Sequence, residues 1–150
     1  MVETNGRNFD LLTLGQVLLR LSPPDNERLS RGDTFVKQVG GAELNVAVGA
    51  ALLGLHTGVI SKLPAHDIGS FMKGKIRSFG VSDDFFMYDQ SSAARVGIYY
   101  YENGAYPRKP KVIYDRNHSS FFSLDIDEIP EEVYTASKCF HTTGITLALN

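Results

Sequence analysis

The stretch that decides the fold is Val39–Leu55, which reads V-G-G-A-E-L-N-V-A-V-G-A-A-L-L-G-L. Two glycines, Gly40 and Gly41, open it, and Gly54 stands near its end. Along the stretch, apolar side chains recur at i, i+4, i+7, i+8 and i+11, namely at Leu44, Val48, Ala51, Leu52 and Leu55. This period places the apolar positions on one side of a helix. We therefore expect a helix that is entered through a glycine turn and buries one stripe.

The paired glycines allow two interpretations. In the structural one, they form a tight turn in front of a buried helix, because glycine tolerates unusual backbone angles. In the functional one, a small polar ligand rests on the Gly40-Gly41 backbone, and Asn45, which lies off the apolar stripe, reaches it. Glu43 falls in the first turn, where the helix dipole favours an anion. The residues alone leave both interpretations open.

Strands and helices alternate on both sides of this stretch. Strand-like runs are predicted at 9–14, 17–21, 33–39, 57–63 and 81–88. A second helix follows Asp67, which we expect as its N-cap, and Gly80 is placed to end it. Such alternation predicts an α/β layered fold with a mostly parallel sheet.

A second β-rich region interrupts the alternation. The run 94–102 ends at Asn103-Gly104, a dipeptide typical of a tight hairpin turn, and the returning run contains Pro107 and Pro110. Together with 17–39, this hairpin is expected to form a small separate sheet inserted into the α/β body. Acidic residues and a proline near its start predict a helix over Asp127–Lys138, followed by a strand at 139–142.

The composition excludes several classes of protein. The chain has 150 residues, 43% of them hydrophobic, and a net charge of −2. That charge gives no electrostatic basis for binding nucleic acid or an anionic membrane. Cys139 is the only cysteine and residues 1–8 lack the apolar core of a signal peptide, so we expect a soluble cytoplasmic protein. The last ten residues read as the opening of another element, and we expect the chain to be the front part of a longer protein.

Familiar catalytic motifs are absent from the sequence. It contains no Walker A loop, no G-x-G-x-x-G after the first strand and no metal-spaced Cys/His cluster. The remaining polar groups suit a hydroxylated or anionic small molecule. Tyr99 and Tyr101 share one strand face and Tyr100 the other, while Arg95 and Arg116 offer planar forks for a carboxylate. Packing is the alternative role for each tyrosine.

These residues resemble the N-terminal half of the PfkB (ribokinase-like) carbohydrate kinases. The supporting stretches are G-G-A-E-L-N-V-A at 40–47, L-P-A-H-D-I-G at 63–69, G-I-Y-Y-Y-E at 97–102, V-I-Y-D-R at 112–116 and F-H-T-T-G-I-T-L-A-L at 140–149. Within the family, the sequence is most similar to 2-keto-3-deoxygluconate kinases. The resemblance implies that residues 1–150 are the N-terminal part of one Rossmann-like domain, with helices on both faces of its sheet. It also implies a β-sheet lid formed by strands at about 16–39 and 94–117.

The resemblance also implies a function. Sugar contacts fall on Gly41, Asn45, Tyr99, Tyr114 and Arg116, with weaker contacts from Gln16 and Gly40. Position 16 departs from the family, which generally has an acid there. The catalytic aspartate of the family's Gly-Ala-Gly-Asp segment, the ATP-binding half and the associated Mg²⁺ are expected outside this chain, so no residue here is expected to be catalytic or to bind metal.

The implied activity is transfer of the ATP γ-phosphoryl group to a primary hydroxyl of a sugar or keto-acid sugar, with 2-keto-3-deoxygluconate as the first candidate. The resemblance also implies a homo-oligomer formed through the lid sheet, because lid sheets in the family often form dimer contacts. Two alternatives remain: a non-catalytic sugar-binding or interaction module, and a kinase for fructose, ribose or a nucleoside.

Overall fold

The computed structural model describes residues 8–149. The strands are β1 (Phe9–Leu14), β2 (Leu18–Ser22), β3 (Val36–Gly40), β4 (Thr57–Pro64), β5 (Val81–Ser82), β6 (Phe86–Asp89), β7 (Gly97–Glu102), β8 (Lys111–Asp115) and β9 (Ser137–His141). The helices are α1 (Ala42–Leu52), α2 (Asp67–Ser78), α3 (Val133–Ala136) and α4 (Gly144–Leu147). Residues 1–7, on which the signal-peptide argument rests, lie outside the described residues.

The central sheet is parallel throughout and has the order β5-β4-β1-β9, with β6 pairing with the carboxyl end of β4. Seven of the eight residues of β4 are buried, as expected for a strand covered on both faces. On one face α1 and α2 contribute Leu44, Ala47, Met72 and Ile76 to the core. On the other, Ile129 and Val133 pack with Leu12 and Ile60. The predicted α/β fold is confirmed.

A second sheet of four strands has the order β3-β2-β7-β8. Strands β2 and β7 are parallel, whereas the two outer pairs are antiparallel. Side chains on one face, including Leu19, Val39 and Ile98, pack against the core under α2. The strand alternation turns Leu18, Arg20, Tyr99 and Tyr101 to the opposite face, which looks towards the start of α1.

Two helix predictions need correction. The N-cap of α2 is His66, not Asp67: the His66 Nδ1 accepts hydrogen bonds from the backbone N–H groups of Ile68 (3.2 Å) and Gly69 (3.5 Å). Helix α1 ends at Leu52, and the side chain of Leu52 is 78% exposed, so the buried stripe is shorter than the sequence period suggests.

Three further predictions are wrong in detail. Asn103-Gly104 does not form a two-residue turn, because the loop extends over 103–110 and turns at Ala105–Arg108. The predicted helix at Asp127–Lys138 is a 3₁₀ turn at Ile126–Glu128 followed by the one-turn helix α3. The last two residues of the expected helix, 137 and 138, belong instead to strand β9, which pairs with β1. The run 81–88 forms two strands, β5 and β6.

No helix among residues 8–149 is long and apolar enough to cross a membrane.

Candidate functional site

A cavity of about 350 Å³ lies between the second sheet and the start of α1. Six of the seven residues predicted for the site line it: Gln16, Gly41, Asn45, Tyr99, Tyr114 and Arg116. Gly40, the seventh, adjoins the hydroxyl end of the Tyr99 side chain. The structure therefore brings together residues from three regions that are up to a hundred positions apart in sequence.

Gly40 and Gly41 have neighbours so close that a side chain at either position would collide with them. Gly41 has φ +145°, which side-chain-bearing residues rarely adopt, and a Cβ there would lie 2.7 Å from the backbone oxygen of Gln16. At Gly40 a Cβ would collide with the Tyr99 hydroxyl. The bare backbone thus lets the β1–β2 connection and the second sheet close onto the N-terminus of α1.

The tyrosines divide between the two faces of the second sheet, as the alternation predicts. Tyr99 and Tyr101 line the cavity, whereas Tyr100 packs edge-on against Phe35 with ring centroids 5.9 Å apart. Tyr99 is paired with Tyr114 across β7 and β8, and their rings are 5.9 Å apart. Burial raises the pKa of Tyr99, so its hydroxyl stays protonated at neutral pH. It can therefore donate a hydrogen bond to a ligand.

Arg116 is held at the cavity wall by Gln16. The Arg116 Nε donates a hydrogen bond of 2.8 Å to Gln16 Oε1, and Gln16 Nε2 donates one of 2.6 Å to the Ser119 hydroxyl. The guanidinium also lies 5.8 Å from the Tyr114 ring. Arg95, the other predicted fork, is not part of the cavity lining and instead pairs with Asp115 at 2.8 Å. Of these two arginines, only Arg116 therefore presents its guanidinium group to the cavity.

Glu43 also lines the cavity, although its position in the sequence indicated only an interaction with the helix dipole. It is 2% exposed, and its Oε1 accepts hydrogen bonds from the hydroxyls of Thr143 and Thr146, each 2.6 Å long. Gly15 makes room for it, because a Cβ there would collide with the Glu43 side chain. Burial acts to raise the pKa of Glu43, but the threonine hydrogen bonds outweigh it and the pKa lies below its usual value. No local pattern reveals partners a hundred residues away.

Two more residues line the cavity: Arg20, which the sequence did not single out, and Tyr101, which was a candidate hydroxyl but was not among the assigned sugar contacts. The guanidinium of Arg20 lies over the Tyr101 ring, 4.4 Å from its centroid, and its Nε donates to the Ser22 hydroxyl at 2.9 Å. Strand alternation alone could not have found Arg20, because its position beside Tyr99 depends on the pairing of β2 with β7. The cavity therefore carries two guanidinium groups and one carboxylate that is already hydrogen-bonded.

Eight of the thirteen residues that line the cavity have polar side chains. They offer three tyrosine hydroxyls, two amides and two guanidinium groups beside the partly buried start of α1. Among residues 8–149 no group of three or more His, Cys, Asp or Glu side chains could hold a metal ion. The structure is that of an α/β protein with a polar-lined cavity of a size that small molecules occupy.

Comparison with known proteins identifies the family. Residues 8–149 match the model of the pfkB family carbohydrate kinases, so the chain belongs to this family. It is 37% identical over 141 residues to a 2-dehydro-3-deoxygalactonokinase of Haloferax volcanii, covering 94% of this chain and 43% of the relative. It is 30% identical over 149 residues to 5-dehydro-2-deoxygluconokinase 1 of Bacillus cereus, covering 99% and 44%.

A solved structure gives the same result. The 2-dehydro-3-deoxygluconokinase of Thermotoga maritima superposes with a TM-score of 0.88 at 38% sequence identity, covering 95% of this chain and 43% of that one. The chain thus spans less than half the length of the relatives that it matches.

Proposed function

We propose that the full-length protein is an ATP-dependent kinase that phosphorylates a primary hydroxyl of a keto-acid sugar, with 2-keto-3-deoxygluconate as the leading substrate. Arg116 carries the proposal, because its guanidinium lines the cavity beside tyrosine hydroxyls and the Asn45 amide. A guanidinium matches a carboxylate in geometry and charge, whereas a neutral sugar gives it no such partner. The three relatives above are named as kinases of dehydro-deoxy-aldonates, which supports the same substrate class.

Each predicted site residue has a role in this proposal. Arg116 binds the carboxylate, while Tyr99, Tyr114 and Asn45 bind hydroxyl or keto oxygens. Gly41 lets the sugar approach the backbone at the start of α1, and Gly40 and Gln16 support the cavity floor and wall. The second sheet acts as the lid, since it forms one side of the cavity. A closed lid would exclude water, which would otherwise compete with the sugar as phosphoryl acceptor.

In such a reaction ATP supplies the phosphoryl group and Mg²⁺ neutralises its charge. The resemblance to the family implies that both groups bind outside the residues of this chain. We propose that both bind to the remainder of the full-length protein, together with the base that accepts the hydroxyl proton. The residues of this chain bind and orient the sugar.

The test is a substrate panel assayed for ADP release with the full-length protein. We expect saturable turnover with 2-keto-3-deoxygluconate or its C4 epimer 2-keto-3-deoxygalactonate, and weaker activity with fructose, ribose and adenosine. A preference for fructose, ribose or adenosine would overturn the keto-acid assignment. Binding of a sugar without any ADP release would favour a non-catalytic sugar-binding module.

We also propose that the protein self-associates through the lid sheet. Strand β8 lies at the edge of this sheet and every one of its residues is exposed. Ile113, which is 44% exposed, should lie in the contact. Light scattering on the full-length protein should show a dimer that Ile113→Lys converts to a monomer. An unchanged mass would reject this interface.

A further inference from the structure

We propose that Arg20 is a specificity-determining residue, and that its guanidinium is a second partner for the substrate carboxylate in addition to that of Arg116. The inference rests on the proposed function and deepens it, because Arg20 adds to the preference for an acidic sugar over a neutral one. The observation that carries it is the position of Arg20 beside Tyr99 in the wall of the cavity.

The pairing of the lid strands places Arg20 and Arg116 on either side of Tyr99. In the register of β2 with β7, Arg20 lies beside Tyr99, and both side chains line the cavity. On the other side, β8 places Tyr114 beside Tyr99, and the Arg116 guanidinium lies 5.8 Å from the Tyr114 ring. A ligand oxygen that accepts a hydrogen bond from the Tyr99 hydroxyl therefore lies between two guanidinium groups.

The charge of Arg20 acts on the Tyr99 hydroxyl. Burial raises the pKa of Tyr99, whereas the positive charge of Arg20 acts in the opposite direction, because it stabilises the ionised phenol. The two groups must lie near each other for this effect, since charge interactions weaken with distance. An anionic group of the ligand beside this hydroxyl is attracted by the same charge.

The contacts of Arg20 hold its guanidinium in place and leave most of its donors to a ligand. Its Nε donates a hydrogen bond of 2.9 Å to the Ser22 hydroxyl, and its Cζ lies 4.4 Å from the centroid of the Tyr101 ring. Within the described part of the chain, Nη1 and Nη2 of Arg20 make no hydrogen bond. A guanidinium that is already stacked and anchored loses less side-chain freedom when a ligand binds to it.

No acidic side chain among residues 8–149 forms an ion pair with Arg20, whereas Arg95, for example, pairs with Asp115. Glu43 is the one acidic residue among the described residues that line the cavity, and its Oε1 accepts from two threonine hydroxyls. The charge of Arg20 is therefore available to a carboxylate of the ligand, and a neutral sugar gains less from it.

The experiment compares Arg20→Gln with wild type in the full-length protein, because glutamine removes the charge and keeps part of the side-chain length. Kinetics are measured for 2-keto-3-deoxygluconate, with fructose as substrate or competitor. We expect KM for the keto acid to rise about five- to tenfold, kcat to stay within about threefold and the affinity for fructose to change by less than about twofold. Arg20→Lys keeps the charge but loses the planar fork, so its KM should lie between those of wild type and Arg20→Gln.

Arg31→Gln is the matched control, since it removes the same charge from the loop between β2 and β3, where Arg31 is exposed and does not line the cavity. A second comparison uses the Arg116→Ala background, in which Arg20 remains. That variant should keep part of its preference for the keto acid, measured as the ratio of kcat/KM for the two sugars. Adding Arg20→Gln should lower the ratio by a further factor of about three or more.

Three results would overturn the inference while the proposed function stands. They are an unchanged KM for the keto acid in Arg20→Gln, an equal rise in KM for both sugars, and an unchanged ratio when Arg20→Gln is added to Arg116→Ala. If wild type prefers fructose, the proposed function fails and the inference fails with it. Should Arg20→Gln not fold, Arg20→Lys replaces it: a rise in KM for the keto acid alone is then expected, and equal changes for both sugars would overturn the inference.

Discussion

Glu43 and Thr146 are joined by a hydrogen bond of 2.6 Å between the Glu43 Oε1 and the Thr146 hydroxyl, although 103 residues separate them. The same oxygen accepts from the hydroxyl and the backbone N–H of Thr143. Both threonines follow β9, at the carboxyl edge of the central sheet. The contact therefore fixes the start of α1, where the cavity lies, against the segment that leaves the sheet.

The first prediction concerns pH. Glu43→Gln should lower the free energy of unfolding by about 1–3 kcal/mol at pH 7, because a hydrogen-bonded charge is lost in a buried place. The pKa of folded Glu43 lies below its usual value of 4.5, so its contribution is present above that pH and disappears as pH falls through the folded pKa. The difference between variant and wild type should therefore shrink in acid. Urea unfolding from pH 7 to pH 3.5 measures it.

Glu131→Gln is the control for this series, since Glu131 is exposed and makes no side-chain hydrogen bond among the described residues. Glu131→Gln should lower the free energy of unfolding by less than about 0.5 kcal/mol. A Glu43→Gln loss that stays constant down to pH 3.5 would contradict the assigned role of the carboxylate charge.

The second prediction concerns the backbone at Gly41. Gly41→Ala should destabilise the protein by more than about 1 kcal/mol, because φ is +145° and the new Cβ would lie 2.7 Å from a backbone oxygen. Gly49→Ala, on the exposed side of the same helix, has free space around the new Cβ and should stabilise by up to about 1 kcal/mol. Thermal melting of both variants gives the answer. Equal effects would mean that Gly41 is not conformationally required.

A third prediction couples Gly40 to Tyr99. Gly40→Ala should destabilise the protein, since the added Cβ would collide with the Tyr99 hydroxyl. In a Tyr99→Phe background that oxygen is absent, so Gly40→Ala should lower the free energy of unfolding by less than it does in the wild type. The ring carbons still lie 3.1 Å away, so recovery should be incomplete. A double-mutant cycle by urea unfolding measures the coupling, and a value of zero would place the two residues further apart than the structure does.

How far the sequence predicts this molecule depends on the range of each interaction. The alternation of strands and helices, the glycine entry to α1 and the two faces of β7 follow from local periodicity. The sequence also predicts six of the cavity residues, through the resemblance of motifs such as G-G-A-E-L-N. Contacts between distant segments were not predictable: the Glu43–Thr143 hydrogen bond and the position of Arg20 over Tyr101 depend on how β2, β7 and β9 pair. The helix expected at Asp127–Lys138 was wrong: only Val133–Ala136 are α-helical, and the last two expected residues belong to β9, which pairs with β1.

The fourth prediction concerns the cap of α2. His66→Ala should cost about 0.5–2 kcal/mol, because the His66 Nδ1 accepts hydrogen bonds from two backbone N–H groups of the first turn. His66→Asp should restore the stability, since aspartate is a strong N-cap residue. Asp67→Ala serves as the comparison and should cost less, because Asp67 contributes through the helix dipole alone. If Asp67→Ala lowered the free energy of unfolding more than His66→Ala, Asp67 rather than His66 would be the N-cap.

The fifth prediction separates an acidic substrate from a neutral one. In the full-length protein, Arg116→Ala should raise KM for 2-keto-3-deoxygluconate by about ten- to a hundredfold, because a charge-assisted hydrogen bond contributes about 1.5–3 kcal/mol. The affinity for fructose should change by less than about twofold. Arg95→Ala is the matched control: Arg95 pairs with Asp115 and does not line the cavity, so KM for both sugars should stay near wild type. If Arg116→Ala weakens both sugars equally, the guanidinium shapes the cavity without binding a carboxylate.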